Sequence, residues 1–170
     1  MTKKLQSILK NCRTAVVVAG LATLAFASCS KSSSSPYSMS GSATSSSGTT
    51  TPVSVSGQTY VFAQIVSNGS GGNQLALTGE SWGGGDTTGF SFEISNYTGA
   101  GTYNLADTGT NANVAVYVNH SATSAIDDIS ASGSLVISSV TSTQITGTFN
   151  FVGTAGTKIN NGKFTALIVP

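Results

Sequence analysis

The sequence predicts an all-β fold, an antiparallel β-sandwich or barrel of about eight strands between residues 57 and 170. Two observations carry this prediction: apolar and polar residues alternate with a period of two, and glycine-rich turn sequences separate the alternating segments. A third observation is that Thr, Val, Ile, Phe and Tyr dominate these segments, and these residue types favour strands. Helical periodicity is not sustained anywhere in this region, and the one short helical turn that the pattern allows covers residues 121–129.

Eight segments carry the strand pattern in chain order. They are Tyr60–Val66, Gln74–Thr78, Phe90–Ile94, Gly101–Leu105, Val114–Val118, Ser134–Val140, Ile145–Phe151 and Lys163–Val169. Asn-Gly and Gly-Gly pairs favour the tight turns that join antiparallel strands. Such turn signals stand at Asn68-Gly69, Gly71-Gly72, Gly83-Gly84-Gly85 and Asn161-Gly162. Several short strands separated by turns are typical of a sandwich or barrel.

The first 28 residues have the pattern of a secretory signal peptide. Met1–Arg13 is basic, and Ala15–Phe26 is an uncharged run of 12 residues, whereas a bilayer span takes about 20. Phe26-Ala27-Ser28-Cys29 resembles the bacterial lipobox, although Phe26 stands where an aliphatic residue is usual. The sequence therefore predicts cleavage before Cys29 and lipidation of its sulfur. An ordinary cleaved signal with an incidental cysteine and an uncleaved membrane helix are the alternatives.

The cysteine count and the next segment fit a lipid anchor. Cys12 lies in the predicted leader, so cleavage leaves Cys29 as the single thiol. Attachment by two or more acyl chains is stable, whereas one chain is marginal. Residues 29–56 are Ser-, Thr- and Gly-rich, a composition typical of a flexible tether. We expect a cell-envelope protein, held at the outer membrane because Ser30 is not the aspartate of inner-membrane retention. Exposure on the periplasmic or the surface side stays open.

The charge pattern excludes some classes of partner. The chain has seven basic and six acidic residues, but four of the basic ones lie in the first 13 residues. From residue 29 onwards three bases stand against six acids, a net charge of −3. A nucleic-acid partner is therefore not expected, because it requires a clustered basic surface. The expected partners are the membrane, through N-terminal acyl chains, and a glycan or an envelope protein.

Two segments near the end of the chain carry a family resemblance. Ile145–Phe151 (ITGTFNF) and Thr157–Phe164 (TKINNGKF), together with Gly101-Thr102-Tyr103 and the leader, resemble a family of small Bacteroidota-type lipoproteins with a C-terminal all-β domain of unknown function. The resemblance implies an all-β domain exposed in the cell envelope. It carries over no catalytic residue, and neither a cofactor nor a metal is expected.

One short motif raises the possibility of hydrolase chemistry. Residues 79–83 match G-x-S-x-G, the nucleophile elbow of α/β-hydrolases, with Ser81 as the nucleophile. That elbow requires a helix after the serine, and the sequence offers none there. His120 with Asp127 or Asp128 could complete a triad, but triads are defined by geometry. One histidine and no cysteine in the β domain make a zinc site unexpected. An esterase-like activity is therefore the third functional hypothesis, and no catalytic residue is assigned.

Oxygen-rich and aromatic residues provide the remaining candidates. Residues 107–113 resemble a calcium loop in their spacing, but the twelfth position from Asp107 is Val118 and not the required Glu. A hairpin loop is therefore the alternative interpretation of this segment.

Trp82 has the opposite strand parity to the apolar face of its segment, unless a bulge at Gly79 buries it. With Tyr97 and Tyr103, an exposed Trp82 could stack on a sugar ring. A non-catalytic binding or interaction domain is the first functional hypothesis, and a glycan-binding module is the second.

Overall fold

The computed structural model describes residues 35–57, 60–67, 71–106 and 112–170, and every regular element in these ranges is a strand. The strands are β1 (Ser38–Thr44), β2 (Thr50–Ser56), β3 (Val61–Ser67), β4 (Asn73–Gly83), β5 (Asp86–Tyr97), β6 (Gly101–Asn104), β7 (Val114–Ser121), β8 (Ser124–Val140), β9 (Gln144–Gly153) and β10 (Lys158–Val169). Each of the eight predicted strand segments coincides with one of β3 to β10, which confirms the all-β prediction.

Seven strands close into a barrel. Hydrogen-bonded neighbours follow the order β10, β3, β4, β5, β7, β8, β9 and return to β10. The β10–β3 pair is parallel, and the other pairs in the ring are antiparallel. The β1–β2 hairpin adds to β10, and β6 adds to β8. The long strands β8 and β10 each pair with three other strands.

The inward-facing side chains of the strands fill the barrel and form its core. Five phenylalanine rings form its centre, with centroids 4.9 to 6.5 Å apart: Phe90, Phe92, Phe149, Phe151 and Phe164. Aliphatic residues of β3, β4, β8 and β9 surround them. Burial of one such side chain contributes about 1.5–3 kcal/mol, so the period-two alternation is the main source of stability.

The β1–β2 hairpin corrects the predicted tether. Residues 38–44 and 50–56 are paired strands and not a flexible segment, while residues 29–34 lie outside the described ranges. Met39, Ala43, Val53 and Val55 of the hairpin are all buried in the core. A strand needs apolar residues on one face only. The Ser- and Thr-rich composition therefore belongs to the outer face of this hairpin and does not indicate disorder.

Two local predictions are also wrong. Residues 121–129 form the β7–β8 hairpin and not a helical turn. Asn161-Gly162 is not a turn but a bulge inside β10, where Asn161 has a φ of 54° and the register to β9 shifts. Asn tolerates this left-handed conformation, which a turn and a bulge can both require, so the residue pair alone does not distinguish them. The predicted Gly83–Gly85 turn is confirmed as the β4–β5 connection.

Candidate functional site

The β4–β5 hairpin positions the most exposed large apolar side chain among the described residues. Trp82 is 67% exposed, whereas Leu75 and Leu77 of the same strand are buried. The strand runs without a bulge from Leu75 to Gly83, so Trp82 keeps the opposite parity and points outward. Gly84 and Gly85 both have positive φ, as a tight hairpin turn requires. The predicted alternative, a bulge at Gly79 that buries the ring, does not occur.

Glu80 orients the indole from two residues earlier on the same face. Its Oε2 accepts a hydrogen bond of 3.3 Å from Trp82 Nε1, and its Oε1 accepts one of 2.6 Å from Ser91 Oγ. The carboxylate therefore bridges β5 and the indole. Because the indole N–H is occupied by Glu80, the group that Trp82 offers to a ligand is the flat face of its ring.

A histidine–aspartate pair lies on the same outer face, two strands away. Trp82 is paired with Thr87, and Thr87 is paired with His120 on β7. Since neighbouring strands are about 4.8 Å apart, Trp82 and His120 are roughly 10 Å apart at the backbone. His120 Nε2 and Asp127 Oδ1 are 2.8 Å apart, and both side chains are partly exposed. We call Glu80, Trp82, Thr87, His120 and Asp127 the Trp82 face.

Tyr97 and Tyr103 are not part of this face. Both are buried, their rings stack with centroids 6.0 Å apart, and they lie at the opposite end of β5, roughly 30 Å from Trp82. The burial of Tyr97 follows from a register shift between β4 and β5. The interval from Asn73 to Leu75 on β4 is two residues long, whereas the paired interval from Ile94 to Tyr97 on β5 is three residues long. The extra residue turns Tyr97 towards the core. The predicted three-aromatic ligand site is therefore not formed.

The tyrosine pair has a structural role at the β5–β6 turn. The Tyr103 hydroxyl donates to the Gly99 carbonyl at 2.7 Å and accepts from the Thr98 N–H at 3.1 Å. Burial, with a smaller contribution from Tyr103, raises the pKa of Tyr97. These contacts fix the turn that leads into β6.

Ser81 does not have the geometry of a nucleophile elbow. It lies inside β4, and the β4–β5 turn follows it instead of a helix. As the neighbour of Trp82 in a regular strand, Ser81 faces the opposite side of the sheet from His120. The histidine–aspartate pair therefore cannot act on this hydroxyl. Residues 79–83, which match the G-x-S-x-G motif, form the end of strand β4 in the β4–β5 hairpin.

Asp127 and Asp128 face opposite sides of β8 and cannot share a metal ion. Asp128 is fully buried, and its carboxylate accepts hydrogen bonds from the backbone N–H groups of Ala155 and Thr157 at 2.8 and 3.1 Å. Its function is to hold the β9–β10 connection. The part of the chain that the structure describes contains no cluster of three potential metal-ligating side chains. Residues 107–111 of the calcium-like loop lie outside it.

Sequence reasoning missed Glu80 and Thr87 as members of the Trp82 face. Glu80 could have been found, because residues two apart on a strand share a face. Thr87 depends on the β4–β5 register, which the glycine turn sets. The predicted signal peptide 1–28 and the lipidation residue Cys29 lie outside the described residues. Within those residues, no helix is both long and apolar enough to span a bilayer.

The fold and the site define an all-β barrel domain in which Trp82 is the most exposed large apolar side chain among the described residues. Comparison of the chain with protein-family models, curated proteins and solved structures finds no match in any of the three. The resemblance to small Bacteroidota-type lipoproteins stays a prediction from residues 101–103 and 145–164.

Proposed function

We propose that the chain is a lipid-anchored, non-catalytic protein of the cell envelope whose Trp82 face binds a glycan. The observation that carries this proposal is the 67% exposure of Trp82 at the end of an ordered hairpin. An exposed indole offers a flat aromatic face on which a ligand can stack. The indole N–H is moreover hydrogen-bonded to Glu80, which orients the ring.

The groups around Trp82 match the chemistry of a sugar. The indole face can stack on the C–H groups of a sugar ring, and Glu80, His120 and Asp127 can bond its hydroxyls. The Trp82 face carries two carboxylates, those of Glu80 and Asp127. An acidic glycan would be repelled by these carboxylates, so the ligand that fits best is a neutral polysaccharide.

The leader supports the location that we propose. A basic segment, a 12-residue apolar run and Cys29 after two small residues together favour export and acylation. A protein anchored in this way would present its β domain to envelope glycans. No contact in the described part of the chain favours the esterase hypothesis, because Ser81 and His120 lie on opposite faces of the sheet.

Tryptophan fluorescence tests the proposal directly. Trp82 is the single tryptophan of the chain, so its emission reports this face without a label. We expect neutral polysaccharides such as mannan, xylan or a β-glucan to shift the emission of the purified protein, held in a detergent without sugar head groups. The anionic polygalacturonate is expected to have little effect. Emission that none of the neutral polysaccharides changes contradicts glycan binding.

A pair of neighbouring substitutions locates the binding. Trp82→Ala is expected to abolish retardation in polysaccharide-containing gels, whereas Ser81→Ala, on the opposite side of the same strand, retains it. Both residues are exposed, so neither substitution opens a cavity in the core. Retardation that survives Trp82→Ala would assign glycan binding to a different surface.

A further inference from the structure

A cleft lies at one end of the barrel, on the inner side of the strands whose outer side carries the Trp82 face. Its volume is about 190 Å³, and it lies between the β1–β2 turn, β7, the start of β8 and the β9–β10 connection. Five of its lining residues have hydroxyl or amide side chains, and the other three are apolar or aromatic: Ser45, Thr49, Thr51, Asn119 and Thr157, then Ala43, Tyr117 and Ile126. Pockets for drug-sized ligands are about 300–1,000 Å³, so this cleft fits a single ring.

The floor of the cleft is a fixed tyrosine. Tyr117 is buried and packs its ring against Phe90, with centroids 5.8 Å apart. Burial raises the pKa of its hydroxyl, and the nearby side chains of Asn119 and Thr88 oppose this shift. The phenol is therefore neutral at physiological pH and forms a flat, amphipathic floor beside an amide.

The walls of the cleft are also held in place before any ligand arrives. In the β1–β2 turn, the Ser45 N–H donates to the Thr49 carbonyl at 2.9 Å. On the opposite wall, the buried Asp128 carboxylate accepts from the Thr157 N–H at 3.1 Å. A site whose side chains are already ordered loses less entropy on binding.

The lining selects the chemical class of the ligand. Its side chains in the described ranges carry hydroxyl, amide, methyl and aromatic groups but no ionised group. The Asp128 carboxylate, which accepts from the Thr157 N–H, is already bonded to the β9–β10 connection. A charged ligand would be desolvated without a counter-charge, and a purely apolar one would leave the hydroxyls unpaired. We propose that this cleft binds one neutral sugar ring.

This site does not rest on the glycan binding proposed for Trp82. The two sites use opposite faces of the sheet, and either could bind without the other. The cleft is tested by following the ¹⁵N–¹H spectrum of the full chain with glucose, galactose, mannose and N-acetylglucosamine as probes. Glucuronate is the charged comparison. We expect at least one neutral sugar to shift the signals of Tyr117, Asn119 and Thr157 with a Kd of about 1–10 mM.

Two substitutions on β2 provide a matched pair. Thr51 lines the cleft, whereas Thr50 points to the outer face of the same strand, where it contacts Thr44. Thr51→Phe is expected to fill the cleft and weaken binding at least about tenfold, while Thr50→Phe and Trp82→Ala change the Kd less than about twofold. Asn119→Ala is expected to weaken binding without adding bulk. It replaces Thr51→Phe as the test if that variant does not fold.

Three results would overturn the cleft assignment. One is that no neutral sugar shifts these signals at about 100 mM, well above the expected Kd. Another is that neither Thr51→Phe nor Asn119→Ala weakens the binding. The third is that glucuronate binds as well as the neutral sugars do. Loss of binding in Trp82→Ala alone would move the sugar to the Trp82 face and remove it from the cleft.

Discussion

At the scale of single residues, Asp128 is the buried carboxylate on which the β9–β10 connection depends. It accepts from the backbone of Ala155 and Thr157 and from the Thr154 hydroxyl. Asp128→Ala is expected to lower the free energy of unfolding by about 3 kcal/mol, because it removes the two hydrogen bonds that the backbone N–H groups of Ala155 and Thr157 donate to a buried carboxylate. Asp127→Ala is the control and is expected to cost less than about 1 kcal/mol, since its pair with His120 is exposed. Urea unfolding compares them, and equal losses would contradict this role.

Tyr97 provides a second prediction at this scale, on pH dependence. Its hydroxyl is buried without a hydrogen-bond partner in the described part of the chain, and burial raises its pKa above 10.0. A raised pKa means that the folded state favours the neutral phenol. The stabilisation of the folded state that goes with this raised pKa is therefore complete below pH 10, and it is lost as the pH rises through the pKa of Tyr97 in the folded state. Tyr97→Phe is expected to raise the pH of alkaline unfolding at little or no cost in stability at pH 7.

Circular dichroism during a titration from pH 8 to pH 12 measures this shift. Tyr37→Phe is the control, because Tyr37 is only partly buried. A loss of more than about 2 kcal/mol at pH 7 in Tyr97→Phe would show that the hydroxyl has a bonding partner after all.

At the scale of elements, close contact between the β1–β2 hairpin and β4 depends on a glycine. A Cβ placed on Gly79 would lie 2.7 Å from both the Cβ and the Sδ of Met39. Gly79→Ala is therefore expected to push the hairpin away and to lower the free energy of unfolding by about 1–3 kcal/mol. Gly83→Ala, on the same strand, has no atom within 4 Å of its new Cβ. We expect that control to change stability by less than about 0.5 kcal/mol in the same urea experiment.

The elements also show which parts of the structure the sequence could predict. Strands β3 to β10 were predictable because their apolar residues alternate over several positions. The β1–β2 hairpin was missed because its few apolar residues, Val53 and Val55 among them, are diluted by serine and threonine. Strand parity left the exposure of Trp82 open, because a bulge at Gly79 would have buried the ring, and the regular pairing of β4 after Leu75 decides for exposure. Burial of Tyr97 did not follow, because the register shift before it depends on pairing across two strands.

At the scale of the whole molecule, the folded unit begins about twenty residues earlier than the composition indicated. The hairpin buries Met39, Val53 and Val55, each contributing about 1.5–3 kcal/mol, and it pairs with β10. A chain that starts at residue 57 is therefore expected to lose at least about 5 kcal/mol, a large part of the stability of a typical domain. A chain that starts at residue 34 is expected to fold. Cooperative thermal unfolding, followed by circular dichroism, distinguishes the two, and equal midpoints would mean that the hairpin is dispensable.

The proposed lipid anchor is also a property of the whole molecule, because it determines where in the cell the barrel is located. The chain has two cysteines, one in the predicted leader and one at the predicted cleavage site, and they provide a matched pair. Cys29→Ala is expected to move the protein out of the membrane fraction or to stop its processing, since the acyl chains supply the membrane affinity. Cys12→Ala is expected to change neither, because Cys12 would be removed with the leader. Cell fractionation with mass measurement of the mature chain checks both variants. Membrane association that persists in Cys29→Ala would contradict lipidation, and the barrel would then need another means of reaching envelope glycans.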